Sequence, residues 1–90
     1  MKKYIIRRKL KMDDLKLFTR EEVAELFNVH VATITMLKDA GVLSAIKIGK
    51  GYMFPKESII NFENNYLNLD VSNMKKAIAS RAIVESRDNI

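Results

Sequence analysis

Apolar residues recur along the middle of the chain with two periods, and the changes of period mark its elements. Val23, Leu26 and Phe27 follow helical spacing, with the small Ala24 between them. Thr19-Arg20-Glu21-Glu22 stands ahead of them as a capping box. In that arrangement Thr19 accepts from the Glu22 backbone N–H and the Glu22 side chain returns the bond. Acidic residues in the first turn also suit the helix dipole. These signals predict a first helix over residues 20–27. Asn28-Val29-His30 interrupts it, Asn28 tolerating the left-handed backbone of a tight turn. A second helix, predicted over 31–39, carries Ile34 and Leu37 on one face with Val31 near it. It turns Ala32, Thr35, Met36 and Asp39 outward, and Ala40-Gly41 closes it. The period then shortens. Ala45-Ile46-Lys47-Ile48 and Tyr52-Met53-Phe54 flank Gly49-Lys50-Gly51 and read as a hairpin. Pro55-Lys56-Glu57 opens a third helix whose apolar face is Ile59, Ile60, Phe62, Tyr66 and Leu67. Asn64 to Asn73 reads as a joint. Beyond it Met74, Ile78 and Ala82-Ile83 predict a terminal amphipathic helix over 72–87, with Ser72 as its N-cap and Ala77 beside the stripe.

Two helices joined by so short a turn make a helix-turn-helix, and a hairpin placed after them is a wing. The expected fold is therefore mainly α with a small β-hairpin wing, a winged helix-turn-helix. It divides into a basic arm over 1–16, the winged domain over 17–69 and a C-terminal helix over 70–90. Phe18, Phe27, Phe54 and Phe62 are expected in the core, each buried ring adding roughly 1.5–3 kcal/mol.

The order of elements resembles the excisionase-like branch of the MerR-type winged helix-turn-helix families. The matching positions are Phe18-Thr19, Glu22, Ala24, Leu26, Val29, the second helix ending at Gly41, and Val42-Leu43. Ile46, Ile48-Gly49-Lys50, Phe54, Ile59 and Phe62 continue the match, which covers about residues 17–67. The resemblance implies that the second helix and the wing contact DNA. It also implies a recombination directionality factor or small regulator of the kind found on phages and mobile elements. Such families commonly place Arg or Lys on the exposed second helix. This chain has Val31, Ala32, Thr35 and Met36 there, with Lys38 as the basic residue. No arginine of that helix can make the bidentate guanine contact that is the commonest specific one.

Charge changes this picture. The net charge is +5, from 16 basic and 11 acidic residues, which points to a polyanionic partner. Residues 1–18 alone hold Lys2, Lys3, Arg7, Arg8, Lys9, Lys11 and Lys16 against Asp13 and Asp14. Residues 19–43, the two helices, sum to −2, so phosphate contacts are expected on the arm, the wing and the tail. There is no cysteine and one histidine, which removes disulfides, thiol nucleophiles and an all-protein zinc site. No glycine-rich phosphate loop or triad is present, and Glu21, Glu22 and Glu25 suit a solvated helix face. We therefore expect no enzyme activity, no cofactor and no metal. No apolar run reaches the ~18 residues of a bilayer span, and Arg7-Arg8-Lys9 cuts any signal-peptide core, so a cytoplasmic protein is expected.

The expected DNA-binding residues are Lys2, Lys3, Arg7, Arg8, Lys9, Lys11, His30, Thr33, Thr35, Lys38, Lys47, Lys50 and Tyr52. His30 is a capping or surface residue in one reading and a phosphate contact in another. Tyr52 either packs on the sheet or stacks on an unpaired base, a contact worth ~1–3 kcal/mol. The arm is open to three roles: a phosphate-binding tail, a β-strand built on Tyr4-Ile5-Ile6, or a solubilising end. Val31, Met36, Met74, Ile78 and Ile83 are the candidate protein-interaction residues. The terminal helix can fold back on its domain, bind another protein, or form a homodimer, although about two heptads are short for a coiled coil. Three functions follow. One is a sequence-specific duplex binder of excisionase-like or regulatory type. Another is an accessory subunit of a larger replication or recombination enzyme that binds DNA, single strands included, with little sequence preference. The third is a protein-interaction module without DNA binding.

Overall fold

The computed structural model describes residues 15–88. The described elements are β1 (Leu17–Thr19), α1 (Arg20–Phe27), α2 (Val31–Asp39), β2 (Ile46–Ile48), β3 (Gly51–Pro55), α3 (Lys56–Asn65) and α4 (Met74–Asp88). The described residues form a winged helix-turn-helix: four helices with a three-stranded antiparallel sheet in the order β1-β3-β2.

The capping box forms as the residues require. The Glu22 N–H donates to Thr19 Oγ1 at 3.0 Å, and the Thr19 N–H donates to Glu22 Oε1 at 2.9 Å. That backbone bond holds the Glu22 carboxyl below its ordinary pKa, because it favours the charged form. At the other end of α1, Asn28 adopts φ 59°. The Val29 and Asn28 N–H groups donate back to the Ala24 and Glu25 carbonyls. This double closure turns the chain sharply into α2. Gly41, at φ 83°, ends α2 the same way, with Val42 bonded to Leu37 and Gly41 to Lys38.

Val23, Ile34, Leu43 and Phe54 are the large side chains fully enclosed at the centre of the core. Ala24 and Leu37 are buried beside them, so α1 and α2 meet through small and branched residues. Of the four phenylalanines only Phe54 is fully enclosed; Phe18, Phe27 and Phe62 are half-buried against the core. Leu26 is 60% exposed, against the interior place its spacing suggests. Residue 26 lies about 100° round the helix from Phe27, and the buried stripe of this short helix is only Val23 and Ala24 wide. On α3, Ile59 is buried but Ile60 is exposed, and Leu67 lies past the helix end at Asn65.

The wing is tighter than the sequence spacing implies. Ile48 pairs with Gly51, which leaves a two-residue loop, Gly49-Lys50. Gly49 has φ 64°, the conformation a two-residue hairpin with glycine first requires. Leu17–Thr19 forms a strand that the sequence pattern leaves unassigned; Phe18 pairs with Phe54. Tyr52 and Lys47 are cross-strand partners on the same face as Phe54, at the open end of the sheet.

The terminal helix lies against its own domain, with a different face from the one its larger apolar residues suggest. Ala77, Ser80 and Val84 are buried, three and four residues apart. Met74, Ile78 and Ile83 are 39%, 53% and 46% exposed, and Ile83 lies on the opposite flank from the other two. Close approach to the domain selects the smaller side chains. Ser80 Oγ donates to the Asp70 carbonyl at 2.7 Å, which satisfies the one buried polar residue of the described core. Ser72 is not the cap: it bonds to Asp70, and Asn73 Oδ1 accepts from the Lys76 N–H at 2.9 Å.

Candidate nucleic-acid interface

The second helix has an inner side, Ile34 and Leu37, and two flanks that differ in chemistry. On the wing flank, Lys38 Nζ lies 3.8 Å from the Tyr52 ring centroid and 2.9 Å from Asp39 Oδ1. The hydrogen bond to Asp39 holds the Lys38 ammonium above the ordinary lysine range, so the group is charged at neutral pH. Lys47 Nζ lies 6.0 Å from the same ring. The tyrosine thus gathers one cation from the helix and one from the wing.

A further cation comes from α1. Arg20 reaches across to α2, where its Nη1 donates to Thr35 Oγ1 at 3.0 Å. Thr35 in turn donates to the Val31 carbonyl at 3.4 Å. Arg20 also stands 3.9 Å from Glu21 Oε2, an exposed and weak pair. Arg20, Lys38, Lys50 and Tyr52 line one cleft of about 410 Å³ between the start of α1, the flank of α2 and the wing. Glu21 lines the same cleft, so the site mixes three cations with an acid at its margin. It contains no nucleophile held by a base. Among the described residues no group of His, Asp and Glu is placed to hold a metal.

The structure brings Thr35, Lys38, Lys50 and Tyr52 of the expected set to this flank, with Lys47 beside them. Thr33 lies elsewhere, in a groove against Phe62 and Val71 on the opposite flank. His30 occupies the position before α2, exposed, but its side chain makes no capping bond; its carbonyl accepts from Thr33. Val31 and Met36 are half-buried against the core, and Thr35 is half-buried under Arg20. The outward face of α2 is thus narrower than its sequence suggests, with Ala32 and Asp39 as its exposed residues. Lys2, Lys3, Arg7, Arg8, Lys9 and Lys11 lie outside the described residues. By sequence Arg20 is only the residue after Thr19 in the capping box. Its partner Thr35 is fifteen residues away, a separation that no local spacing rule reads.

A family profile described as a helix-turn-helix domain matches residues 17–66 of the 90. The chain belongs to that helix-turn-helix domain family. The matched span runs from β1 to the C-terminal end of α3, so the capping box, the α1–α2 turn, the wing and Arg20 all fall within the family domain. Helix-turn-helix domains of this family bind DNA and are typically non-catalytic, in keeping with a site built of cations, a hydroxyl and an aromatic ring. No curated protein and no solved structure matches the chain. In the described part of this helix-turn-helix protein, no helix is long and apolar enough to cross a membrane.

Proposed function

We propose that the protein is an excisionase-like directionality factor or small transcriptional regulator of a phage or mobile element, acting on duplex DNA in the cytoplasm. The observation that carries this reading is the convergence of Arg20, Lys38 and Lys50 around Tyr52. These groups come from three elements and form one cationic edge beside the helix that a helix-turn-helix lays in the major groove. Phosphate contacts along that edge position the protein on the duplex. Thr35 and Ala32 offer small contacts to base edges and thymine methyls, so sequence preference rests on few groups and on DNA shape. Arm residues Lys2, Lys3, Arg7, Arg8, Lys9 and Lys11 add phosphate contacts. The division into an arm over 1–16, a winged domain over 17–69 and a helix over 70–90 follows from this assignment of roles.

A mobility-shift titration tests it, using the duplex flanking the host element against random duplex of equal length. Preference for the cognate site that survives rising salt supports the reading. Equal affinity for all duplexes at every salt concentration defeats it.

A second reading is an accessory subunit of a larger replication or recombination enzyme. The exposed Met74 and Ile78 on the terminal helix favour it, since they form an apolar flank beside a helix already docked. The Tyr52 ring counts against a single-strand preference. Lys38 sits over it, and a stacking base must displace that cation. Affinity for single strands equal to that for duplex, together with a co-purifying polymerase, primase or helicase, would move the assignment to this second reading. A homodimer through α4 would instead appear as a concentration-dependent mass in ultracentrifugation.

A further inference from the structure

On the flank of α2 away from the wing lies an apolar groove of about 690 Å³. Its floor is the stacked pair Phe27 and Phe62, with centroids 5.5 Å apart, and Leu37 of the core. Leu26 and Val29, 60% and 40% exposed, form one wall. Glu63 and Asp70 stand on the rim. Asp70 is already paired with Lys76 at 3.3 Å, whereas Glu63 has no ion pair among the described residues. The groove thus leaves apolar surface open to water and carries an unneutralised carboxylate beside it.

The chain itself carries a segment of complementary chemistry. Tyr4-Ile5-Ile6 is followed directly by Arg7-Arg8-Lys9, three apolar residues and then three cations. Reach is sufficient. Ile6 and Leu15 are nine residues apart, a tether of up to about 30 Å. The helix between β1 and the groove, α1, has eight residues and is about 12 Å long. We propose that in the DNA-free protein this groove receives the chain's own residues 4–9. Tyr4-Ile5-Ile6 covers the Phe27–Phe62 floor, and the basic triplet meets Glu63. A short tether favours the cis segment over another molecule, because it holds the segment at an effective concentration in the mM range.

Because the sequence has no cysteine, paired cysteines report proximity without background. The test uses the full chain without DNA, so its outcome is separate from the DNA-binding reading. Lys3→Cys is combined with Leu26→Cys on the groove wall, or with Ile60→Cys, an exposed position about 160° round α3 from Phe62. Under mild oxidation the groove pair is expected to close an intramolecular disulfide about tenfold faster than the Ile60 pair, as a seated segment should. Adding Ile5→Asp and Ile6→Asp should remove that advantage. Equal rates for the two pairs would overturn the proposal. So would a disulfide-linked dimer as the main product, which would assign the groove to a second copy. A groove-pair rate unaffected by the two aspartates would also overturn it, since the apolar contacts would then play no part.

Discussion

The two flanks of α2 lie within one short helix and yet hold opposite chemistry. Thr33 borders the apolar, acid-rimmed groove, and Lys38 borders the cationic cleft. Five residues separate them, about 140° round the helix. The wing flank collects Arg20 from α1 and Lys50 from the hairpin, whereas the groove flank collects Leu26, Phe27 and Phe62. What surrounds a helix therefore decides what each of its sides can meet. The net charge of the two helices alone, −2 over residues 19–43, gives no hint of the cationic edge.

The most damaging change should erase the distinction by removing the shared support. Phe54 is fully enclosed between the sheet and the helices, and Phe54→Ala should destabilise the fold by about 3–5 kcal/mol. Denaturant unfolding measures the loss, and a cost under about 1 kcal/mol would mean that the ring is not central. Next comes DNA binding, which should separate the flanks. Arg20→Ala and Lys38→Ala should each weaken duplex binding and reduce the slope of log K against log salt by about 0.9. Leu26→Gln, on the groove wall, should leave that slope unchanged. Slopes altered equally by all three changes would dissolve the contrast.

Smaller effects sharpen the boundaries of α1 and α2. Gly41→Ala forces a side chain into left-handed backbone and should cost about 1–2 kcal/mol, read as a lowered denaturation midpoint. Thr19→Ala removes the capping oxygen and should cost about 1 kcal/mol. The paired carboxylate adds a pH signature. Glu22 titrates below its ordinary value in the folded chain. Its contribution is complete above the usual glutamate range and is lost as pH falls through the lowered value. Midpoints followed against pH should show that loss in the native chain, and Glu22→Gln should flatten it.

Most of the backbone was legible because it is written locally. The bounds of α1 and α2 follow from Thr19, Asn28 and Gly41, each of which acts within a few residues of itself. Strand β1 was not legible: three residues carry no period, and Leu17–Thr19 is a strand only because Phe54 lies beside Phe18. The terminal helix was legible as a helix but not in its orientation. Its larger residues, Met74, Ile78 and Ile83, drew attention to themselves, while the distance to the domain favoured Ala77 and Ser80. At the cleft, Lys38, Lys50 and Tyr52 could be named from element type alone. Arg20 could not, since its reach to Thr35 depends on how α1 crosses α2.

Gly41 does more than stop a helix. A Cβ built there would stand 2.5 Å from Arg81 Nη1, so the guanidinium of α4 rests directly on the bare backbone at that corner. Helix α4 is thus seated on the C-terminal end of α2. Its seat exists only when α2 has unwound at the right residue and turned left-handed there. A register error in α2 would be transmitted to residues some forty positions later in sequence. The corner therefore ties the two helices together: Arg81 of α4 fits against Gly41 only where α2 ends left-handed at that residue.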